Sequence, residues 1–499
     1  MHSTVSPAPF AARATASEAS PLVAVPRNLS SAETTWGTRH DGLVAELIVA
    51  ANRAPVTFAF GDDGEPVAQR GAGGMITIAG AVRERGAVWF AAAMSDADRA
   101  ISKRGATEVN GLDLHLLSID PDVYRAAYDS IANATLWFAH HGLFDRARMP
   151  VVDRTWWKAW DAFRSYNQTF SDAIAEVAAE GAVVLVQDYH LCLVGAQLAA
   201  RRPDLRLIHF SHTPFATPDA LGVLPERVVK EILEGMSGFR ACGFHSRRWA
   251  RSFESAYRDT GAAPAVFIAP LVPAADDMAE LAITDEGLEG HTWLDQILAG
   301  RRMILRVDRI ELSKNLLRGF LAYDELLAER SDLREQVVFV ALVYPSRENL
   351  DSYLSYREQV EALVEEINAR WCTPDWTPIA FDASDAPGRS AAALTRYDVL
   401  MVNPLRDGLN LVAMEGPVLN TTDGVLALST EAGAWDAMEG SAIAIDPFDI
   451  SGTAASLAEA LDLSASERAS RAAALRKASL ARTPSDWLDS LLEAAGESR

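Results

Sequence analysis

Four apolar runs that read as β-strands are each followed at once by residues able to hold charge or protons. Asp188, Tyr189 and His190 follow VVLVQ, and SHTPF, with His212, follows LRLIHF. Arg309 and Lys314, five residues apart in RVDRIELSK, follow a third run, and PLRDGLNLVAMEG (404–416) follows YDVLMVN. One loop can bring Arg309 and Lys314 to a single diphosphate and offset its charge as it leaves. The plain alternative is a solvated basic patch. Pro404 and Gly408 force a tight connection, and the first N–H groups of the next helix are then free to meet an anion. Asp407 suits a sugar hydroxyl. Glu415, eight residues on and about two helical turns away, suits a ribose. Capping plus a buried salt bridge would use the same residues. Asp188 reads equally as a helix N-cap beside a satisfied histidine, and His212 as structural or catalytic. Arg27, Tyr128, Trp137 and Arg347 form a scattered fifth set. Tyr128 and Trp137 also fit a core, and Arg347 in YPSR fits a plain polar residue behind a strand.

These residues need strands to carry them. PLVAVPR (21–27), VTFAF (56–60), GMITIAG (74–80) and AVWFAAA (87–93) read as strands, with turns such as GDDG between. From about residue 120 the spacing turns helical, and strand and helix then alternate. A second run of the same rhythm starts near 302. This predicts α/β architecture in two doubly wound halves, split near Pro270–Pro273, with the site at the carboxyl ends of the strands. The expected organisation is a flexible tail over 1–20, domains over 21–272 and 273–470, and terminal helices over 471–499. The stretch around Trp487 is expected to pack back on the first half.

The chain of 499 residues carries 46 Lys and Arg against 68 Asp and Glu, a net charge of -22. That disfavours a nucleic acid or membrane surface as partner, while a local arginine cluster still admits an anionic small molecule. Hydrophobic residues make up 49% and charged residues 23%, the balance of a globular protein with large cores. Cys192, Cys242 and Cys372 form no CxxC pair, which points to a reducing compartment, and the first residues lack a secretory pattern. A cytoplasmic protein is expected. No GxxxxGK[ST], HExxH or GxSxG motif occurs; GAGGM (71–75) lacks the GxGxxG spacing, and DAD (96–98) is too short to argue a metal site.

In this order, YDSIANATLW, VQDYHL, HFSHTPF, RVDRIELSKN, YPSR and NPLRDGLNLVAMEGPVLN resemble the trehalose-6-phosphate synthase family of retaining glycosyltransferases, across about residues 21–485. The resemblance implies a GT-B fold, two Rossmann-like domains facing across a deep cleft. It implies no cofactor and no metal, and small-molecule substrates: a nucleotide-glucose and glucose 6-phosphate. The first domain would bind the acceptor and the second the nucleotide sugar, with homo-oligomer formation left open. Arg27, Tyr128, Trp137 and Arg347 would hold the acceptor phosphate, and Asp188 acceptor hydroxyls. Gly42 would bring backbone close to the reacting groups. His212 would sit at the donor sugar, and Arg309 and Lys314 at the donor diphosphate. Asp407 would hold donor-sugar hydroxyls, beside the N–H groups of Gly408, Leu409, Asn410 and Leu411, and Glu415 the ribose. The chain departs from the family in three places. Asp41–Gly42 stands for a Gly-Gly pair, VPRN for a strand ending SNR, and Met414 for a lysine. EGPVLNTTDGVLALSTEAGA is similar to the actinobacterial branch, some members of which use GDP-glucose. A pseudo-glycosyltransferase joining a nucleotide-cyclitol to a phosphorylated aminocyclitol, a synthase acting on glycerol 3-phosphate, and a sugar-phosphate-binding regulator are the competing readings.

Overall fold

The computed structural model describes residues 44–70, 75–258, 261, 263–273 and 275–496. The first lobe holds β1 (Ala45–Ala50), β2 (Val56–Phe60), β3 (Pro66–Arg70), β4 (Val88–Ala92), β5 (Thr107–Val109), β6 (Leu112–Leu117), β7 (Ala178–Gln187), β8 (Arg206–Ser211), β9 (Ala241–Phe244) and β10 (Ala265–Ile268). Its main sheet runs β10-β9-β8-β7-β1-β4-β6-β5, parallel except for the β5–β6 pair, and β2–β3 form a separate hairpin. The second lobe holds β11 (Arg302–Ile310), β12 (Val337–Pro345), β13 (Ile379–Asp382), β14 (Val399–Val402), β15 (Val425–Ser429) and β16 (Ile443–Ile445), all parallel, in the order β13-β12-β11-β14-β15-β16.

Counted by parallel strands, both sheets start in the middle, grow to one edge, and restart on the other side of the first strand. This is the doubly wound Rossmann order. It opens a crevice between β1 and β7 in one lobe and between β11 and β14 in the other. Helices on both faces of a parallel sheet demand strands that are apolar on both sides. VWFAA of β4 and VLMV of β14 are buried at every position.

Of the strand expected over 74–80, residues 75–80 are instead helical: Met75–Glu84 is a helix. Its buried residues Ile78, Ala81 and Val82 fall at i, i+3 and i+4, so helical burial outweighs the β-branched run that suggested a strand. The expected strand at 21–27 and the tail over 1–20 lie outside the described residues. The last helix, Pro484–Ala494, buries Trp487 edge-on against Phe210 at 5.1 Å, and Asp489 pairs with Arg85. Among the described residues no helix is long and apolar enough to cross a membrane.

Candidate functional site

At the second crevice the strand itself carries charge. Arg306 and Asp308 of β11 are both buried, and Arg306 Nε donates to Asp308 Oδ2 at 3.1 Å while its guanidinium also reaches the Lys314 carbonyl. Behind β11 the chain turns once through Leu312–Lys314 and enters the next helix at Asn315, whose φ of 60° is left-handed. This throws Lys314 back over the sheet. Its Nζ lies 2.7 Å from Asp407 Oδ2 and 3.6 Å from Asp308 Oδ1. Burial alone would lower the Lys314 ammonium, but the two carboxylates outweigh it and raise it. Burial likewise pushes Asp407 up, and Lys314 brings it below the ordinary carboxylate range. Arg309 pairs with Glu311 at 2.7 Å, and Ser346 donates to the same Glu311 oxygen at 3.0 Å.

The loop behind β14 is shaped by close approach. A Cβ on Gly408 would lie 1.8 Å from the His212 carbonyl oxygen, so only glycine fits. Asn410, at φ 75°, caps the helix Leu411–Leu419 by accepting from the Ala413 N–H at 3.1 Å, and donates to Asp407 Oδ2 at 3.2 Å. Glu415 sits one turn into that helix. Burial alone pushes its carboxyl up to about 7, and no charge opposes the shift.

At the first crevice, β1 is followed by Asn52 and Arg53. Arg53 donates to the Tyr128 hydroxyl at 2.9 Å. Tyr128 and Trp137 stand nine residues apart. On an α-helix that is two and a half turns, which sets them on opposite faces. Ala126–Leu136 instead form a π-helix, closed by a Trp137 N–H to Ala132 carbonyl bond. Such i→i+5 bonds widen the turn to roughly four and a half residues, so nine residues make about two turns. Both side chains then meet one guanidinium from the second lobe. Arg347, at φ 51° behind β12, stacks over Trp137 at 4.8 Å and bonds the Tyr353 hydroxyl; burial pushes the Tyr128 phenol up, and Arg53 first, then Arg347, bring it below its ordinary value.

Asp188 follows β7 with φ 66° and ψ 169°, a conformation that costs a non-glycine residue about 1–3 kcal/mol. Its Oδ1 accepts from the N–H groups of His212 and Thr213 and from the Thr213 hydroxyl, at 3.2, 3.2 and 3.0 Å. Burial outweighs these bonds and raises its carboxyl to about 6. The His212 ring is committed to a chain of bonds. The Leu271 N–H points at His245 Nδ1 (3.2 Å), so His245 carries its proton on Nε2 and donates to His212 Nδ1 (3.2 Å). His212 then carries its proton on Nε2 and donates to Gln187 Oε1 (3.0 Å). Both ring nitrogens are taken. What His212 presents to the Gly408 loop is its carbonyl oxygen.

Thus Asp188, His212, Tyr128 and Trp137 gather on the first lobe, and Arg309, Lys314, Arg347, Asp407–Leu411 and Glu415 on the second. The two groups touch at Arg347–Trp137 and Gly408–His212. Arg27 and Gly42 lie outside the described residues. Arg53, in Ala51–Asn52–Arg53 behind β1, is the arginine on the Tyr128 hydroxyl. Residues that reading missed are Arg53, Glu311, Arg306, Gln187 and His245. The signal for Arg53 is the ANR that follows LIVA, and for Arg306 and Asp308 it is charge inside an otherwise apolar strand.

Two Rossmann lobes with polar clusters at facing switch points are an architecture of the GT-B type. Residues 45–497 match the model of glycosyltransferase family 20, and the chain belongs to that family. The match starts after Arg27 and Gly42. The trehalose-6-phosphate synthase of Mycobacterium avium is 31% identical over 483 residues, covering 91% of this chain and 96% of that protein. That of Mycolicibacterium smegmatis is 30% identical over 492 residues, covering 93% and 94%. Among solved structures, an E. coli protein bound with UDP-2-fluoro glucose matches with a TM-score of 0.79 and 24% identity, covering 91% of this chain and 99% of that one. A UDP-forming α,α-trehalose-phosphate synthase from Burkholderia xenovorans in complex with glucose-6-phosphate matches at 0.78 and 26%, covering 90% and 100%.

Proposed function

We propose that the protein moves glucose, with retention of the α configuration, from a nucleoside diphosphate glucose to glucose 6-phosphate, giving trehalose 6-phosphate and the nucleoside diphosphate. The observation that carries this reading is a pair of separate cation stations in one site: Arg309 with Lys314, and Arg53 with Arg347. One phosphorylated ligand needs one such station, and a transfer between two phosphorylated molecules needs two. The relatives named trehalose-6-phosphate synthase, and the neighbours holding a UDP-sugar analogue and glucose 6-phosphate, support the same assignment.

In this scheme Arg309 and Lys314 take the donor diphosphate. Asp407 and the N–H groups of 408–411 take the donor sugar, and Glu415 the ribose. Arg53, Tyr128, Trp137 and Arg347 take the acceptor phosphate, and Asp188 orients acceptor hydroxyls. The scheme gives neither Asp188 nor His212 the role of nucleophile: Asp188 orients hydroxyls, and both His212 nitrogens are used. Retention then follows from a front-face transfer. The bond from the anomeric carbon to the diphosphate oxygen breaks, the acceptor oxygen bonds on the same face, and its proton passes to that diphosphate oxygen. The scheme calls for no resident cofactor. The three free cysteines suit a reducing, cytoplasmic setting.

The actinobacterial likeness favours GDP-glucose as donor, with UDP-glucose as its competitor. A panel of UDP-, GDP- and ADP-glucose with glucose 6-phosphate, followed by nucleoside diphosphate release and formation of a non-reducing phosphorylated disaccharide, tests the reading. Turnover with none of the three, or equal use of unphosphorylated glucose, overturns it.

A further inference from the structure

The loop that carries Asp407 is held from the first lobe by a side chain outside the scheme above. Trp249 is the third residue of the helix Arg247–Ala256 and is buried. Its indole N–H is shared between the carbonyl oxygens of Asp407 and Gly408, at 3.0 and 3.1 Å. The Arg406 guanidinium lies 5.0 Å over the ring. Behind the loop, the Gly433 N–H also donates to the Asp407 carbonyl at 3.1 Å, and a Cβ on Gly433 would lie 1.8 Å from the Gly408 oxygen. Both carbonyls are therefore pinned in direction.

A trans peptide is planar, so its C=O and the following N–H point to opposite sides. With the carbonyls of 407 and 408 turned onto Trp249, the N–H groups of Gly408 and Leu409 point away from it. We propose that Trp249 is a positioning residue for glucosyl transfer: one indole donor on the first lobe sets the direction of two peptide donors on the second. The donor-sugar station is then complete only while the two lobes are docked at this edge. Arg247 N–H to Asp436 and the Arg248–Glu431 pair hold the same edge.

This inference rests on the donor-sugar assignment of the 408–411 loop made above. Trp249→Phe keeps the ring and removes the donor. The expected result is a loss of about tenfold in kcat/KM for the nucleotide-glucose, with KM for glucose 6-phosphate within twofold of wild type. In binding titrations the variant loses affinity for the nucleotide-glucose and keeps that for the bare nucleoside diphosphate, which the scheme assigns to Arg309 and Lys314. Unchanged donor kcat/KM in the variant overturns the inference alone. Equal loss for donor, nucleoside diphosphate and acceptor also overturns it, because it marks general damage. A wild-type protein inactive with every nucleotide-glucose overturns the function proposed above, and the role of Trp249 with it.

Discussion

Around the first crevice the histidine rings are kept neutral, whereas around the second Lys314, Arg309, Arg347, Asp407 and Glu311 are kept charged. His140, His190 and His245 are pushed down to about 3 and His141 and His209 to about 4, in each case chiefly by burial, and His212 is lowered too. Across the cleft, burial is just as severe, but Lys314, Arg309 and Arg347 are raised and Asp407 and Glu311 lowered, since each has an opposite charge or acidic group close by. The difference teaches how one strand order serves two tasks. Neutral donors and acceptors suit hydroxyl groups, which carry no charge to offset. Pre-formed ion pairs keep cations ionised in a buried place until a phosphate takes over from the carboxylate.

The largest expected effect is on stability, and it belongs to the neutral side. These histidines are unprotonated when folded, while the unfolded chain binds protons below about pH 6.5. Their contribution is complete above that pH and is lost as the pH falls from 6.5 towards 4. At pH 5 each buried histidine should cost about 1–2 kcal/mol. Glu415 and Asp188, raised to about 7 and about 6, work in the opposite sense and offset part of this. Chemical denaturation between pH 7.5 and 5 should show a steep loss; a flat profile would break the comparison.

On the charged side, Arg309→Ala should lower turnover about a hundredfold at saturating acceptor, the worth of one lost transition-state contact of roughly 3 kcal/mol. Turnover near wild type would remove Arg309 from charge stabilisation. Arg347→Ala should act on the acceptor alone. The preference for glucose 6-phosphate over glucose should shrink by about tenfold, the scale of a charge-assisted bond. An unchanged ratio would separate Arg347 from the phosphate. The smallest effect is on Glu415, whose carboxyl burial alone shifts. If its carboxylate accepts the ribose hydroxyls, donor KM should improve severalfold as pH rises through about 7, and Glu415→Gln should abolish that dependence. Donor KM measured from pH 6 to 8 checks it.

Much of this was legible residue by residue. Buried parallel strands are unbroken apolar runs, so β7, β8, β11, β12 and β14 announce themselves, and the polar residues behind them are the switch-point groups. Where a local pattern had two readings it misled, as at 74–80. It also pointed to Arg27, behind one apolar run, and passed over Arg53, behind another. Pairing of β1 between β4 and β7 is what puts Arg53 at the crevice.

Local chemistry along the chain thus settles which elements form and which side chains stand at their ends, because apolar period and strand length are properties of short windows. Partnership lies beyond its reach. Lys314 meets Asp407 across 93 residues and Trp249 meets it across 158. Whether a histidine becomes a base or a link in a buried chain depends on which groups the folded backbone brings to its two nitrogens. That choice is made by three-dimensional packing, which no window of sequence contains.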